Sequence, residues 1–258
     1  MRTCFFLIYL IVLLNFLGCS TTDIKDETKD WSTPALYQKA KEALKKGDYK
    51  TAIKYYEALE IRDPFGRYAQ QGQLDVIYAY YKFGEAESAL VAAERFIKLY
   101  PNHPGIDYVY YLKGLVNFER DNSVFDRFIP LDKAQRDQNA TLRAFRHFSE
   151  LIERFPQSKY VEDAKKRMIY LRNSLAEHEL HIARFYMKRG AFVAAANRAK
   201  QVIEAYQRTP AIPEALTILA KSYKIMGLND LMEDTLRVLK LNHPDYQGIA
   251  EVKRLVVK

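Results

Sequence analysis

A repeated spacing of small and large apolar residues is the feature that most constrains how this chain of 258 residues can fold. Gly47 and Gly84 begin two segments with the same internal spacing, 37 residues apart. Gly190 and Gly227 begin a second such pair at the same offset, and a central segment from Ala144 carries the latter half of the pattern. Apolar residues recur every three or four positions within each segment, which predicts paired helices stacked along the chain.

The residue types of the repeat indicate how two helices pack in each segment. A recurring alanine, as at Ala52 and Ala195, lets helix backbones approach closely. The glycine permits a left-handed turn between the helices, and a proline ends the second helix. This pattern resembles the tetratricopeptide repeat, a helix pair of about 34 residues. We therefore expect an all-α fold, a right-handed superhelix (solenoid) of about five tetratricopeptide-like helix pairs.

The N-terminus is typical of an exported bacterial lipoprotein. Arg2 precedes an unbroken apolar run over 5–14, which is too short to cross a bilayer but suits the core of a secretory signal peptide. The run leads to Cys19 in a sequence that resembles a lipobox, in which the cysteine is lipidated. We expect a signal peptide over 1–18, a covalent diacylglyceryl and N-acyl lipid on Cys19, and no other cofactor. By resemblance to lipoprotein sorting rules, Ser20 favours the outer membrane. Ordinary cleavage beside an unmodified Cys19 is the alternative.

Composition shifts and breaks in the repeat suggest how the mature chain is organised. We expect a lipidated N-terminus and flexible tether over 19–32, and tetratricopeptide repeats 1–3 over 33–157, with an insertion at about 119–139. The C-terminal repeats 4–5 would span 158–258. Apolar residues at helical spacing over 158–175 predict a long helix that runs into repeat four.

The sequence lacks the residue constellations that catalysis and metal binding require. His178 and His181 flank a glutamate but are three residues apart, whereas the zinc-protease motif places its histidines four apart. Cys4 would leave with the signal peptide and Cys19 would be acylated, so the mature domain would contain no thiol. We therefore expect no enzyme activity, and polar helix surfaces at the remaining charged residues.

The net charge of +8 raises the question of nucleic-acid binding. The basic excess is dispersed and weighted toward the C-terminal half, and it does not form the clustered basic face that phosphate binding needs. We expect no nucleic-acid partner. Anionic lipid or an acidic protein partner accounts for this charge equally well.

The first helix of each tetratricopeptide pair usually lines a concave groove, and in repeats 1–3 those positions are rich in tyrosine and lysine. Such a groove would suit a peptide with aromatic side chains and a free carboxylate. The alternative is that many of these tyrosines fill the core between repeats. The candidate substrate-peptide residues are Tyr37, Lys41, Leu74, Tyr78, Tyr81, Lys82, Tyr108 and Tyr111.

Three stretches, 148–156, 163–168 and 188–198, resemble the BamD (ComL) family of outer-membrane protein assembly lipoproteins. The resemblance implies a non-catalytic subunit of the β-barrel assembly machinery, anchored by lipid at the periplasmic face of the outer membrane. Its implied partners are a BamA-like barrel protein, other lipoproteins of the machinery, and unfolded outer-membrane proteins. The candidate BamA contacts are Arg198, which occupies the family position for that contact, together with Asn197, Lys188 and Arg184.

Two other functions remain open from the sequence. A tetratricopeptide-repeat lipoprotein that serves as the scaffold of another periplasmic complex, in cell-wall synthesis or division, would share the lipobox and the repeats. It would lack the 188–198 stretch. A lipid-anchored hydrolase would need a catalytic cluster, and the sequence offers none.

Overall fold

The computed structural model describes residues 27–120 and 138–256. The predicted signal peptide, Cys19 and the first part of the predicted tether lie outside these residues, as does most of the predicted insertion at about 119–139. Nothing in the described part of the chain therefore bears on those predictions.

Eleven helices make up the regular structure of the described residues. They are α1 Thr33–Lys46, α2 Tyr49–Arg62, α3 Ala69–Phe83, α4 Ala86–Leu99, α5 Ile106–Arg120, α6 Gln138–Arg154, α7 Val161–Lys188, α8 Phe192–Ala205, α9 Ile212–Ile225, α10 Asn229–Asn242 and α11 Gly248–Arg254. The first ten form five pairs, α1/α2 through α9/α10, and α11 closes the C-terminal end against α9.

Each helix packs against the next along the chain. The first helices of neighbouring pairs also touch, α3 against α5 and α7 against α9, as expected of stacked hairpins. The predicted all-α solenoid of tetratricopeptide-like helix pairs is thus confirmed. The long helix expected to begin in 158–175 is also present, as the 28 residues of α7.

The repeated glycines occupy the turns inside four of the pairs. Gly47, Gly84, Gly190 and Gly227 all have a positive φ, between 73° and 89°. A side chain would strain this left-handed conformation, which explains why the same residue type recurs there. The backbone N–H of Gly47 donates to the carbonyl oxygen of Leu44, in the last turn of α1, at 3.1 Å.

The repeated alanines lie where the helices approach most closely. Ala52, Ala89, Ala144 and Ala195 are fully buried. Large side chains such as Phe148, also fully buried, fill the spaces beside them. This alternation of small and large residues produces a chain of core clusters from the first pair to the last.

The last residues of the predicted tether are held in place. Residues 27–30 form a turn before α1, and Thr28 is 1% exposed. The Arg62 guanidinium of α2 donates hydrogen bonds to the carbonyl oxygens of Thr28, at 2.9 Å, and Trp31. At the C-terminal end of the predicted 19–32 segment, the carbonyls of Thr28 and Trp31 thus have a cationic donor on α2.

None of the described helices combines the length and the apolar character that crossing a bilayer requires.

Candidate functional site

Half-buried tyrosines from two first helices, and from the residue before a third, form two neighbouring groups of aromatic rings in the N-terminal half of the chain. Tyr78 and Tyr81 of α3 have ring centroids 6.2 Å apart. Tyr108 and Tyr111 of α5 both contact Tyr160, with centroids 5.3 and 4.7 Å apart. The Tyr111 and Tyr160 rings are stacked, at an interplanar angle of 14°. We call these five residues the tyrosine surface.

Carboxylates fix two hydroxyls of the tyrosine surface. The Tyr81 hydroxyl donates to Oε1 of Glu119, and the Tyr111 hydroxyl donates to Oδ2 of Asp163 at 2.6 Å. Burial and the hydrogen bond to Asp163 raise the pKa of Tyr111 to about 12. Partial burial works against ionisation of Asp163, but hydrogen bonds from Tyr111 and Arg167 bring its pKa below the usual value. These rings are thus held in fixed orientations, with carboxylates between them.

Three cations lie over aromatic rings in the N-terminal half, and one of these rings, Tyr81, belongs to the tyrosine surface. Exposed Lys82 lies over the Tyr81 ring, 5.6 Å from its centroid. Exposed Lys41 lies over Tyr37 at 5.7 Å, and Arg167 of α7 lies 4.7 Å above Phe118. A peptide with aromatic side chains and a terminal carboxylate would meet both rings and cations here.

Two of the predicted groove residues are part of the core. Tyr37 is 7% exposed, because Tyr68 from the loop before α3 stacks on its ring at 4.8 Å. Leu74 is 8% exposed, because it packs against the turn that contains Gly105. Both side chains are therefore packed into the core and expose almost no area to a partner. For Tyr37 the alternative of a tyrosine in the core describes the structure better, and Leu74 is likewise a core residue.

Arg184 of α7 is held by two carboxylates between the C-terminal pairs. Its Nε and Nη2 donate to the two carboxylate oxygens of Glu214 in α9, at 2.6 and 2.8 Å. Its Nη1 donates to Glu177 at 2.7 Å. These hydrogen bonds raise the pKa of Arg184 above its usual range. The side chain therefore bridges two first helices and has few donors left for a partner.

Arg198 of α8 pairs with a buried carboxylate. Its Nη1 lies 2.9 Å from Oε2 of Glu179, whose side chain is 11% exposed, while the side chain of Arg198 is 38% exposed. Gln201 donates to the other Glu179 oxygen at 3.4 Å. Part of the Arg198 side chain thus faces solvent, and its charge also neutralises a carboxylate inside the pair.

The four candidate BamA contacts do not share one face. Glu177 and Glu179 are two positions apart on α7 and point to different sides of that helix. Arg184 pairs with the first and Arg198 with the second. Lys188 and Asn197 are both exposed, and Asn197 lines a shallow depression together with Val193 and Met226. Arg198 and Asn197 lie on α8, the second helix of its pair. Arg184 lies between α7 and α9, the first helices of two neighbouring pairs.

The most informative residues missed from the sequence are Tyr160, Asp163 and Arg167. They lie at the start of α7, outside the repeat pattern, and they complete the tyrosine surface. The aromatic and charged residues of this stretch, spaced at helical intervals beside a repeat, were the available signal.

Among the residues that the structure describes, no group of three or more His, Cys, Asp and Glu side chains is placed to hold a metal ion. His178 and His181 lie on α7, where neither forms part of such a group.

A family model described as outer membrane lipoprotein, YfiO, matches residues 29–239. The outer membrane protein assembly factor BamD of Neisseria gonorrhoeae is 46% identical over 235 residues, which cover 90% of this chain and 88% of that protein. The protein of the same name from Vibrio cholerae is 39% identical, covering 90% of this chain and 96% of its own, and that from Xylella fastidiosa (strain Temecula1) is 35% identical, covering 92% and 82%.

A solved tetratricopeptide repeat protein from Parabacteroides merdae matches with 14% identity and a TM-score of 0.33, covering 85% of this chain and 72% of its own. The solenoid assignment rests on the helix pairing described above. The family model and the relatives each extend over most of the described helix pairs. The chain therefore belongs to the YfiO (BamD) family of outer membrane lipoproteins.

Proposed function

We propose that this protein is a non-catalytic subunit of the machinery that assembles β-barrel proteins in the outer membrane. The observation that carries the proposal is the 46% identity to an outer membrane protein assembly factor over 90% of the chain. The structure is compatible with an adaptor, since the helix pairs present an aromatic surface in the N-terminal half and a polar surface around Arg198 in the C-terminal half.

The lipid anchor is part of this proposal. A diacylglyceryl and N-acyl lipid on Cys19 would hold the protein at the periplasmic face of the outer membrane. One acyl chain gives only marginal membrane binding, whereas several give stable anchoring. The lipobox-like sequence before Cys19 and the family's description as outer membrane lipoproteins support this location.

The C-terminal half would bind a BamA-like barrel protein and other lipoproteins of the machinery. The exposed side of Arg198, together with Asn197 and the depression beside Val193, offers charge, an amide and apolar contact in one place. Arginine is a favoured anchor in such interfaces because its planar donors pair with carboxylates. Arg184 would contribute indirectly, by fixing α7 against α9.

The tyrosine surface would receive unfolded outer-membrane proteins. Tyr78 and Tyr81 present half-buried rings, and Lys82 stands beside them with an exposed ammonium group. Rings bury apolar area at low conformational cost, and the cation pairs with a peptide carboxylate. A short segment with aromatic residues near a free C-terminus fits both features.

Reconstitution tests the proposal. Vesicles that contain a BamA-like barrel protein are prepared with and without the acylated protein, and folding of an added outer-membrane protein is followed by its heat-modifiable gel mobility. We expect the folded fraction to rise when the protein is present. An unchanged folded fraction, with the protein anchored in the same vesicles, would contradict the proposed role.

A further inference from the structure

Two apolar side chains at the end of the first helix pair are almost fully exposed. Ile61, in the last turn of α2, is 85% exposed, and Phe65, in the loop that follows, is 89% exposed. Phe65 is the most exposed of the large apolar side chains in the described residues. Leaving both in water is unfavourable, so a contact that covers them would be stabilising.

These two residues lie beside the point where the chain arrives from its N-terminus. Arg62, between them in sequence, holds the carbonyls of Thr28 and Trp31. The segment before α1 therefore runs against the same helix end. This fixes the direction in which the preceding residues leave the folded domain.

The chain enters this segment at a second fixed point. Glu27 accepts a hydrogen bond from Nζ of Lys54 at 2.7 Å and from the Tyr55 hydroxyl at 3.1 Å. Both donors are on α2, eight and seven residues before its last residue Arg62, which corresponds to roughly 10–12 Å along a helix, and Phe65 follows in the next loop. Trp31 packs edge-on against Tyr55, with ring centroids 5.2 Å apart.

The tether between Cys19 and the first described residue, Glu27, is short. Glu27 is eight positions after Cys19, and a fully extended chain spans at most about 3.3–3.6 Å per residue. An acylated Cys19 therefore holds Glu27 within roughly 30 Å of the bilayer. A tether of this length allows the first helix pair to lie directly against the lipid.

We propose that Ile61 and Phe65 insert into the phospholipid surface of the membrane that carries the lipid anchor. The surface between them and the N-terminal segment combines the two apolar tips with the half-buried aromatic rings of Trp31 and Tyr55, residue types that are favoured at membrane interfaces. This inference rests on the proposed acylation of Cys19. It gives the solenoid a defined orientation, with its first pair at the bilayer and its last pair away from it.

Single-site fluorescence tests this contact in the acylated full chain. The mature sequence has no cysteine other than Cys19, so Phe65→Cys provides a unique thiol for an environment-sensitive dye. Leu241→Cys is a matched control, because Leu241 is 82% exposed but lies in α10, at the other end of the solenoid. Both proteins are placed in vesicles of phosphatidylethanolamine and phosphatidylglycerol that contain lipids with a nitroxide on the acyl chain.

The expected result is a blue-shifted emission and strong nitroxide quenching at position 65, with neither at position 241. Equal, unquenched emission from both positions on protein that floats with the vesicles would overturn the bilayer contact while leaving the anchor intact. Protein that fails to float would remove the anchor and the bilayer contact together. Loss of the nitroxide quenching at position 65 when a protein partner is added would assign the surface to that partner and overturn the bilayer contact.

A second variant examines the energetic contribution of the two side chains. Ile61→Ser combined with Phe65→Ser removes both apolar tips, and their exposure means that the fold should tolerate the change. In the non-acylated Cys19→Ser protein, we expect the double variant to bind the same vesicles roughly tenfold more weakly. Equal vesicle binding with and without the two apolar side chains would contradict their insertion.

Discussion

Arg198 and Glu179 form an ion pair at 2.9 Å that joins the two helices of the fourth pair. Glu179 is nearly buried, whereas Arg198 is partly exposed. Removing the arginine alone would leave a carboxylate inside the protein without its cation, which is costly. A loss of partner binding after such a change would therefore have two different explanations, and the pair must be changed together to separate them.

We expect Arg198→Gln to weaken binding of a BamA-like barrel protein and to lower stability by about 1–2 kcal/mol, after allowance for solvent screening. Adding Glu179→Gln should restore most of the stability, since an amide pair no longer carries an unpaired charge. Binding should stay weak in the double variant, because the partner still lacks the guanidinium. Urea denaturation and pull-down with the purified barrel protein measure the two effects.

Recovery of binding in the double variant would show that Arg198 acts by stabilising its own helix pair. The direct-contact assignment of Arg198 would then be wrong.

Gly114→Ala should destabilise the third helix pair by about 1–3 kcal/mol. A Cβ at this position would lie 2.3 Å from Cε1 of Phe148 and 2.5 Å from its Cδ1, and this ring is fully buried. Gly72→Ala is the matched control, because its Cβ would lie 3.1 Å from the methyl end of Leu59 and at an ordinary 3.6 Å from Cδ1 of Tyr56, and alanine favours the helix. Equal free energies of unfolding for the two variants would contradict the close approach of α5 and α6.

Tyr78→Ala combined with Tyr81→Ala should reduce crosslinking to peptides that end in an outer-membrane-protein signal by roughly tenfold. The loss follows from removing two rings of the tyrosine surface. Tyr81→Phe is the control, since it keeps the ring and removes only the hydroxyl that donates to Glu119. Crosslinking that survives the double alanine change, on protein with an unchanged helical spectrum, would move the peptide site elsewhere.

The stability of the first two pairs should depend on pH through Asp75. Burial raises the pKa of this carboxyl above its usual 3.8, against the opposing effects of hydrogen bonds from Gln71 and Tyr56. The folded state then binds the proton more tightly than the unfolded chain, so the contribution of Asp75 to stability is present below pH 3.8 and declines as the pH rises through the folded pKa. Asp75→Asn should therefore gain in Tm over the unmodified protein as the pH rises from about 4 to about 7.5.

Asp48→Asn is the control for this pH dependence. A hydrogen bond from Thr51 lowers the pKa of Asp48, so its contribution to stability is present at neutral pH and is lost as the pH falls. The two asparagine variants should thus show opposite trends in thermal melts. A constant Tm difference for Asp75→Asn across the range would mean that burial does not perturb this carboxyl.

Local spacing explains why the helix pairs could be predicted. The repeated glycines must adopt a positive φ and the repeated alanines must admit a neighbouring helix, and both requirements show in the residue type itself. Tyr160 and Asp163 could not be assigned in the same way, because their place in the tyrosine surface depends on the path of α7 across α5. The pairing of Arg198 with Glu179 likewise depends on how two helices face each other.

The prediction of groove-lining residues was wrong about burial at two positions. Tyr37 and Leu74 occupy first-helix positions that line grooves in related folds, yet each is covered by a residue from outside its own helix, Tyr68 and the turn at Gly105 respectively. A contact between a helix and a loop leaves no periodic trace in the sequence.

Co-purification from native membranes tests the central claim most directly. The acylated protein, carrying a C-terminal affinity tag, is extracted in mild detergent, and the proteins recovered with it are identified by mass spectrometry. The proposed role predicts recovery of a large BamA-like β-barrel protein, reduced when Arg198→Gln and Glu179→Gln are introduced together. Recovery of cell-wall or division proteins without any such barrel protein would contradict a role in outer-membrane protein assembly.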